Sequence, residues 1–267
     1  MLHHRSGLML LLLLAFAAWT PAASVVDLTV QDGPLALAGR LALPTATGPR
    51  PAVLVVHEWW GRNAYAERRA RELAELGYVA LAADCYGEAA SDDFQVAVRR
   101  SAPFYADPGL FARRLAPALA ALRARPEVDA RRVAAIGFCF GGSAVLQLAR
   151  DGQDLRGVVA FHPGLRSAAP AAAGRIRAAI LVEHGGADPF VPPAEVQAFV
   201  AEMLQAGARW SLRSHAGAVH AFTNPDAGRG VANVPAEVPF AQAVRYDAAA
   251  EAAAMAGMRV FLADVLR

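Results

Sequence analysis

Short, continuous apolar runs recur along this chain, and helical segments fill most of the intervals between them. The runs fall at residues 52–56, 79–83, 133–136, 157–161 and 178–182. Hydrophobicity that does not alternate marks a strand covered on both faces. Helical patterns occupy residues 64–76, 92–100, 110–125, 140–150 and 195–205, and a last one spans 246–266. Asn63 can cap the first of these and Gly77 can stop it. Strands of this kind, joined through helices by right-handed crossovers, pack as a mainly parallel central sheet with helices on both faces. Residues 25–30 and 35–43 are expected to form a hairpin about Gln31-Asp32-Gly33-Pro34, and residues 209–213 a late strand. No repeat and no Gly/Ser-rich linker divides residues 25–267, so a single α/β domain is expected.

Hydrophobic residues make up 55% of the 267, enough to fill such a core. All 26 basic residues are arginine, set against 24 acids for a net charge of +2. They are interspersed rather than gathered into a stripe, which argues for a solvated mixed surface and no nucleic-acid partner. The first 24 residues differ from the rest. A polar, basic start at His3, His4 and Arg5 leads into an apolar stretch from Leu8 to Ala18, then small residues suited to cleavage after residues 22–24. This is the pattern of a secretory signal peptide, too short to span a membrane comfortably. It predicts a periplasmic or secreted protein with no stable membrane span after its removal.

The residues Gly137-Phe138-Cys139-Phe140-Gly141-Gly142 join an expected strand to an expected helix. This is a nucleophile elbow with cysteine where serine is usual. The glycines fit a turn so sharp that neighbouring Cβ atoms would clash. The helix that follows turns its free N–H groups and positive end toward the site, which favours a thiolate and a developing oxyanion. Asp188 stands before Pro189, just past the run at 178–182, and His220 follows the strand expected at 209–213. Taken singly, the first is a turn former and the second a structural histidine. Their order, nucleophile then acid then histidine, is that of the α/β-hydrolase fold. The segment His57-Glu58-Trp59-Trp60-Gly61 follows residues 52–56. There the backbone N–H of Trp59 is placed to join that of Phe140 in an oxyanion hole, and Glu58 to hold or take the thiol proton. His57, His162, His184 and His215 have no partner at a telling spacing. Neither zinc-ligand spacing nor a phosphate loop is present, so neither metal nor cofactor is expected.

With these residues in view, the chain resembles the dienelactone hydrolase family from about Val53 to its C-terminus. The resemblance rests on the elbow with Cys139, on Asp188-Pro189 followed by Val191-Pro192, and on His220-Ala221-Phe222 with Asn224-Pro225 behind it. Glu58, Asp84-Cys85-Tyr86-Gly87 and Tyr246-Asp247-Ala248-Ala249-Ala250 also fit. It implies a monomeric, cofactor-free α/β-hydrolase with a Cys139-His220-Asp188 triad, acting on a small-molecule ester or lactone through an acyl-enzyme. It further implies that Glu58 interacts with the resting thiol. The chain departs from members that grip a substrate carboxylate with arginines: it has Gly87 and Glu88 at one such place, Thr223 and Asn224 at another. That removes the charge-assisted contacts that would fix an anionic lactone. In an exported chain, two cysteines also admit a non-enzymatic reading: a binding protein of the same fold with Cys139 oxidised or bridged to Cys85.

Overall fold

The computed structural model describes residues 23–168 and 170–267, so residues 1–22 of the expected leader lie outside the described residues. Among those described, one sheet of eight strands runs through the molecule. The strands are β1 (Ser24–Asp32), β2 (Leu35–Leu43), β3 (Arg50–Val56), β4 (Val79–Ala83), β5 (Val128–Phe138), β6 (Gly157–Phe161), β7 (Ala179–Gly185) and β8 (Trp210–His215). Their spatial order is β1-β2-β4-β3-β5-β6-β7-β8. The hairpin β1–β2 and the pair β2–β4 are antiparallel, and every other neighbouring pair is parallel. The helices are α1 (Ala64–Glu75), α2 (Phe94–Ala106), α3 (Gly109–Arg123), α4 (Phe140–Arg150), α5 (Pro193–Ala206), α6 (Phe240–Ala243) and α7 (Ala248–Val265).

The apolar runs are the strands at the centre of this sheet. Every residue of β4 and β6 is buried, and burying a side chain such as Leu54, Leu81 or Val158 contributes roughly 1.5–3 kcal/mol. Helices α1 and α7 cover one face, packing Leu73, Met258 and Leu262 against Val53, Val55 and Ile136. Helices α2 to α5 cover the other, packing Phe104, Leu115, Val145 and Phe199 against Leu54, Leu81 and Ala135.

Several boundaries differ from the sequence expectation. Helix α2 starts at Phe94 under an Asp93 cap and runs past Arg100 to Ala106, through Pro103. The ring costs one helical hydrogen bond, and Phe104, only 3% exposed, anchors the turn beyond it. The last helix begins at Ala248 rather than residue 246, because the Asp247 side chain accepts the N–H groups of Ala249 and Ala250. Strand β5 extends from Val128 to Phe138, well beyond its apolar centre, because its first residues pair with the start of β3.

The topology places the site. From β3 the chain crosses by α1 to β4 on one side; from β5 it crosses by α4 to β6 on the other, and over the opposite face. The carboxyl ends of β3 and β5 therefore border the crevice where the winding reverses, which is where ligands bind in open α/β sheets. In the parallel register Val56 is level with Gly137, so Glu58 and Cys139, each two residues further on, emerge side by side.

Candidate active site

Cys139 sits between β5 and α4 with φ 54° and ψ −114°, a conformation that L-residues rarely adopt. Three glycines make it attainable. A Cβ on Gly137 would lie 2.0 Å from the Gly141 carbonyl oxygen, and one on Gly142 3.0 Å from that of Phe161. A Cβ on Gly141 would lie 2.3 Å from the Val56 carbonyl oxygen and 2.6 Å from that of His57. The bare Gly141 backbone thus lets the first turn of α4 press against the segment that carries Glu58 and Trp59. Phe140, the first residue of α4, has an N–H that no helical carbonyl can accept. The Trp59 N–H has no backbone partner among the described residues.

Asp188 and His220 converge on the sulfur. One Asp188 oxygen accepts the Phe190 N–H at 2.9 Å, and the other accepts His220 Nδ1–H at 2.7 Å. His220 is held in turn by its backbone, which donates to Ala243 and accepts from Arg245. Its imidazole lines the same cavity as Cys139, near enough for the two to interact electrostatically. Burial opposes a charge on the ring, yet the sulfur and the Asp188 carboxylate outweigh it and hold His220 well above the ordinary histidine value. The arrangement thus favours an imidazolium beside the sulfur.

Glu58 lines the same cavity as Cys139 and His220, and its carboxylate accepts Asn224 Nδ2–H at 2.7 Å. Burial, partly offset by that amide, pushes the carboxyl up from its ordinary 4.5 to about 7. Below about 4.5 the group is protonated in both folded and unfolded chains and costs nothing. As pH rises toward 7 the unfolded chain ionises first, and the folded state loses stability that it does not regain above 7. Glu58→Gln keeps the acceptor for Asn224 and removes the charge. It is expected to raise stability at pH 8 by roughly 2–3 kcal/mol and to change nothing near pH 4. Denaturant melts of both proteins at the two pH values check this; a gain of equal size at both would show that the carboxylate charge is not its source. Asn224→Leu removes the donor that favours the ionised form, so any limb of the pH–activity profile that reports Glu58 should move to higher pH.

Two histidines without a legible partner in the sequence are built into this site. His57 is fully buried: its Nδ1–H donates to the Glu58 carbonyl oxygen at 2.5 Å, and its Nε2 accepts the Cys85 N–H at 3.1 Å. Its ring stacks on Phe140, with centroids 5.8 Å apart. It therefore braces both segments that carry the expected oxyanion donors. His162, with φ 38°, accepts the Cys139 N–H on Nδ1 and donates from Nε2 to Thr223 Oγ1 at 2.8 Å. Burial and the neighbouring His220 hold it well below the ordinary histidine value, so it stays neutral beside an imidazolium. Of the other two, His215 pairs with buried Glu183 at 2.7 Å, away from the sulfur, and His184 keeps a buried Nδ1 without a partner. Thr223 and Asn224 serve the scaffold, holding His162 and Glu58. Cys85 and Cys139 are both free thiols, so the bridge envisaged between them is not formed. Cys85 lies in the core, where burial pushes its thiol up, away from the reactive thiolate.

A strand–cysteine–helix elbow under an Asp–His pair, at the switch point of an eight-stranded, mostly parallel sheet, defines an α/β-hydrolase. Residues 37–266 match the dienelactone hydrolase family, and the chain belongs to it. A crystal structure of a dienelactone hydrolase-like promiscuous phosphotriesterase from metagenomic libraries is 38% identical, with a TM-score of 0.85, covering 92% of this chain and all of that one. A Methylorubrum extorquens protein with the provisional name carboxymethylenebutenolidase is 28% identical over 75% of this chain and 72% of its own. An uncharacterised Caenorhabditis elegans protein is 36% identical over 52% of this chain and 83% of its own. The chain is thus a hydrolase of the kind that acts on lactones or esters. Among the described residues no helix is long and apolar enough to cross a membrane.

Proposed function

We propose that this protein is an exported thiol hydrolase of small carboxylic esters or lactones, working through a thioester acyl-enzyme. The observation that carries the reading is the Asp188–His220 hydrogen bond, with His220 and Cys139 lining one cavity. The Cys139 thiolate attacks the substrate carbonyl, and the resulting oxyanion is held by the N–H groups of Phe140 and Trp59. The tetrahedral intermediate collapses as the His220 imidazolium gives its proton to the departing alkoxide, leaving a thioester on Cys139. Water then enters; His220 takes its proton as hydroxide adds, and the second collapse returns the carboxylic acid and the thiolate. Asp188 fixes the tautomer and orientation of His220 and stabilises its charged form. Glu58, which lines the same cavity as the sulfur, takes up the thiol proton and so leaves the thiolate paired with the His220 imidazolium.

Residues 1–24 supply the export signal in this reading, which places the enzyme in the periplasm or outside the cell. Rapid quenching during turnover of p-nitrophenyl acetate tests the chemistry. Mass analysis should find one acetyl group, on the peptide containing Cys139, released by hydroxylamine. A burst of nitrophenol with the acetyl group on any other residue would defeat the proposal.

A further inference from the structure

The cavity beside Cys139 has a volume of about 600 Å3, and its wall is largely aromatic, with Trp59, Trp60, Tyr105, Phe190 and Phe240. Its carboxyl groups are Glu58 and Glu195, and no arginine lines it among the described residues; the chain has no lysine. His220 is the one lining side chain able to carry a positive charge near neutral pH, and its Nδ1–H is already given to Asp188. Arg62, Arg69 and Arg100, whose charges reach His57 or Glu58, are committed elsewhere. Arg100 binds Glu88 and the Ala89 carbonyl, Arg62 binds Glu67 and the Ala38 carbonyl, and Arg69 binds Glu72, Glu251 and the Thr223 carbonyl. Glu195 is fixed by the Leu165 and Arg166 N–H groups at 2.7 and 2.8 Å, so its carboxylate cannot swing away from the wall.

A substrate carboxylate entering this space would lose water, find no guanidinium or ammonium, and face one or two like charges, while the one cation in the wall, His220, is already engaged by Asp188 and the sulfur. Each of these raises its cost, whereas an apolar or aromatic group replaces water on an apolar wall. Resting on the hydrolase reading above, we infer that the cavity selects uncharged esters with apolar or aromatic substituents and excludes substrates that carry a carboxylate. Glu58 gains charge as pH rises through about 7, so the exclusion should sharpen in that interval.

The test is a matched pair: p-nitrophenyl pentanoate and the mono-p-nitrophenyl ester of glutaric acid, which differ in a terminal methyl against a terminal carboxylate. The ratio of kcat/KM, neutral over anionic, is expected to be about 100-fold or more at pH 8 and smaller at pH 6. Val98→Arg introduces a guanidinium on α2 at a cavity-lining position that is 40% exposed, where the fold tolerates it. It should reduce the ratio by about tenfold. A wild-type ratio under tenfold overturns the inference while leaving the hydrolase reading intact. A large ratio that neither pH nor Val98→Arg alters assigns the selectivity to shape and overturns charge exclusion. Turnover of neither ester overturns the hydrolase reading and this inference with it.

Discussion

Cys139→Ala is expected to lower kcat/KM for p-nitrophenyl acetate by about 10,000-fold, the scale on which loss of a nucleophile abolishes covalent catalysis. The change removes the sulfur and leaves the fold nearly untouched, since Ala needs no more room than Cys and the glycines at 137, 141 and 142 still admit the turn. It should also be visible without substrate. Much of what holds His220 above the ordinary histidine value is the sulfur beside it. With alanine there, less opposes the cost of burial, and the imidazole should lose its proton at lower pH than in the wild type. Titration of the His220 ring protons by NMR measures that shift, and far-ultraviolet circular dichroism checks that the variant is folded. Equal esterase rates in the two proteins would end the thiol mechanism. An unmoved His220 titration would mean that sulfur and ring are not paired in the resting protein.

The parts of this molecule that the sequence reveals are those governed by neighbours along the chain. Strands β4 and β6, residues 52–56 of β3 and residues 179–182 of β7 are covered on both faces, so their burial is written as unbroken apolar residues. The elbow is legible because its strain is relieved within six consecutive residues. The order Cys139, Asp188, His220 is legible because each follows the carboxyl end of a strand. What stayed hidden depends on contacts between distant segments. Glu58 and Asn224 are 166 positions apart, and His162 and Thr223 are 61 apart. No spacing rule anticipates such pairs; they arise because the segment beyond β8 returns along the carboxyl edge of the sheet to the segments that follow β3 and β6. A usable signal for His57 existed: a polar ring directly after the unbroken apolar run 52–56 must find partners for both nitrogens. The neighbouring carbonyl of Glu58 was one candidate. The helix expected to end near Arg100 runs on through Pro103 to Ala106, because the buried ring of Phe104 holds the turn beyond the proline.

The glycine at 137 is expected to be the most intolerant of its kind, and the reason bears on how the site is made. Gly137→Ala should destabilise the protein by about 4 kcal/mol or more, in the range reserved for steric failures in the core. The added methyl would sit 2.0 Å from the Gly141 carbonyl oxygen and 2.2 Å from its carbon, both backbone atoms of the first turn of α4. They cannot yield alone, because Gly141 itself is pressed against the carbonyls of Val56 and His57. Relief would require α4 to move off the end of β5, carrying the Phe140 N–H away from Trp59 and unseating His57 from its stack. Gly174→Ala provides the comparison. That glycine has φ 71°, and a methyl added to it would meet nothing within 4 Å, so only the cost of a left-handed backbone applies, about 1 kcal/mol. Urea denaturation of both variants measures the difference. Similar losses in the two would mean that α4 can shift freely on β5, and the rigid elbow on which the proposed chemistry depends would have to be abandoned.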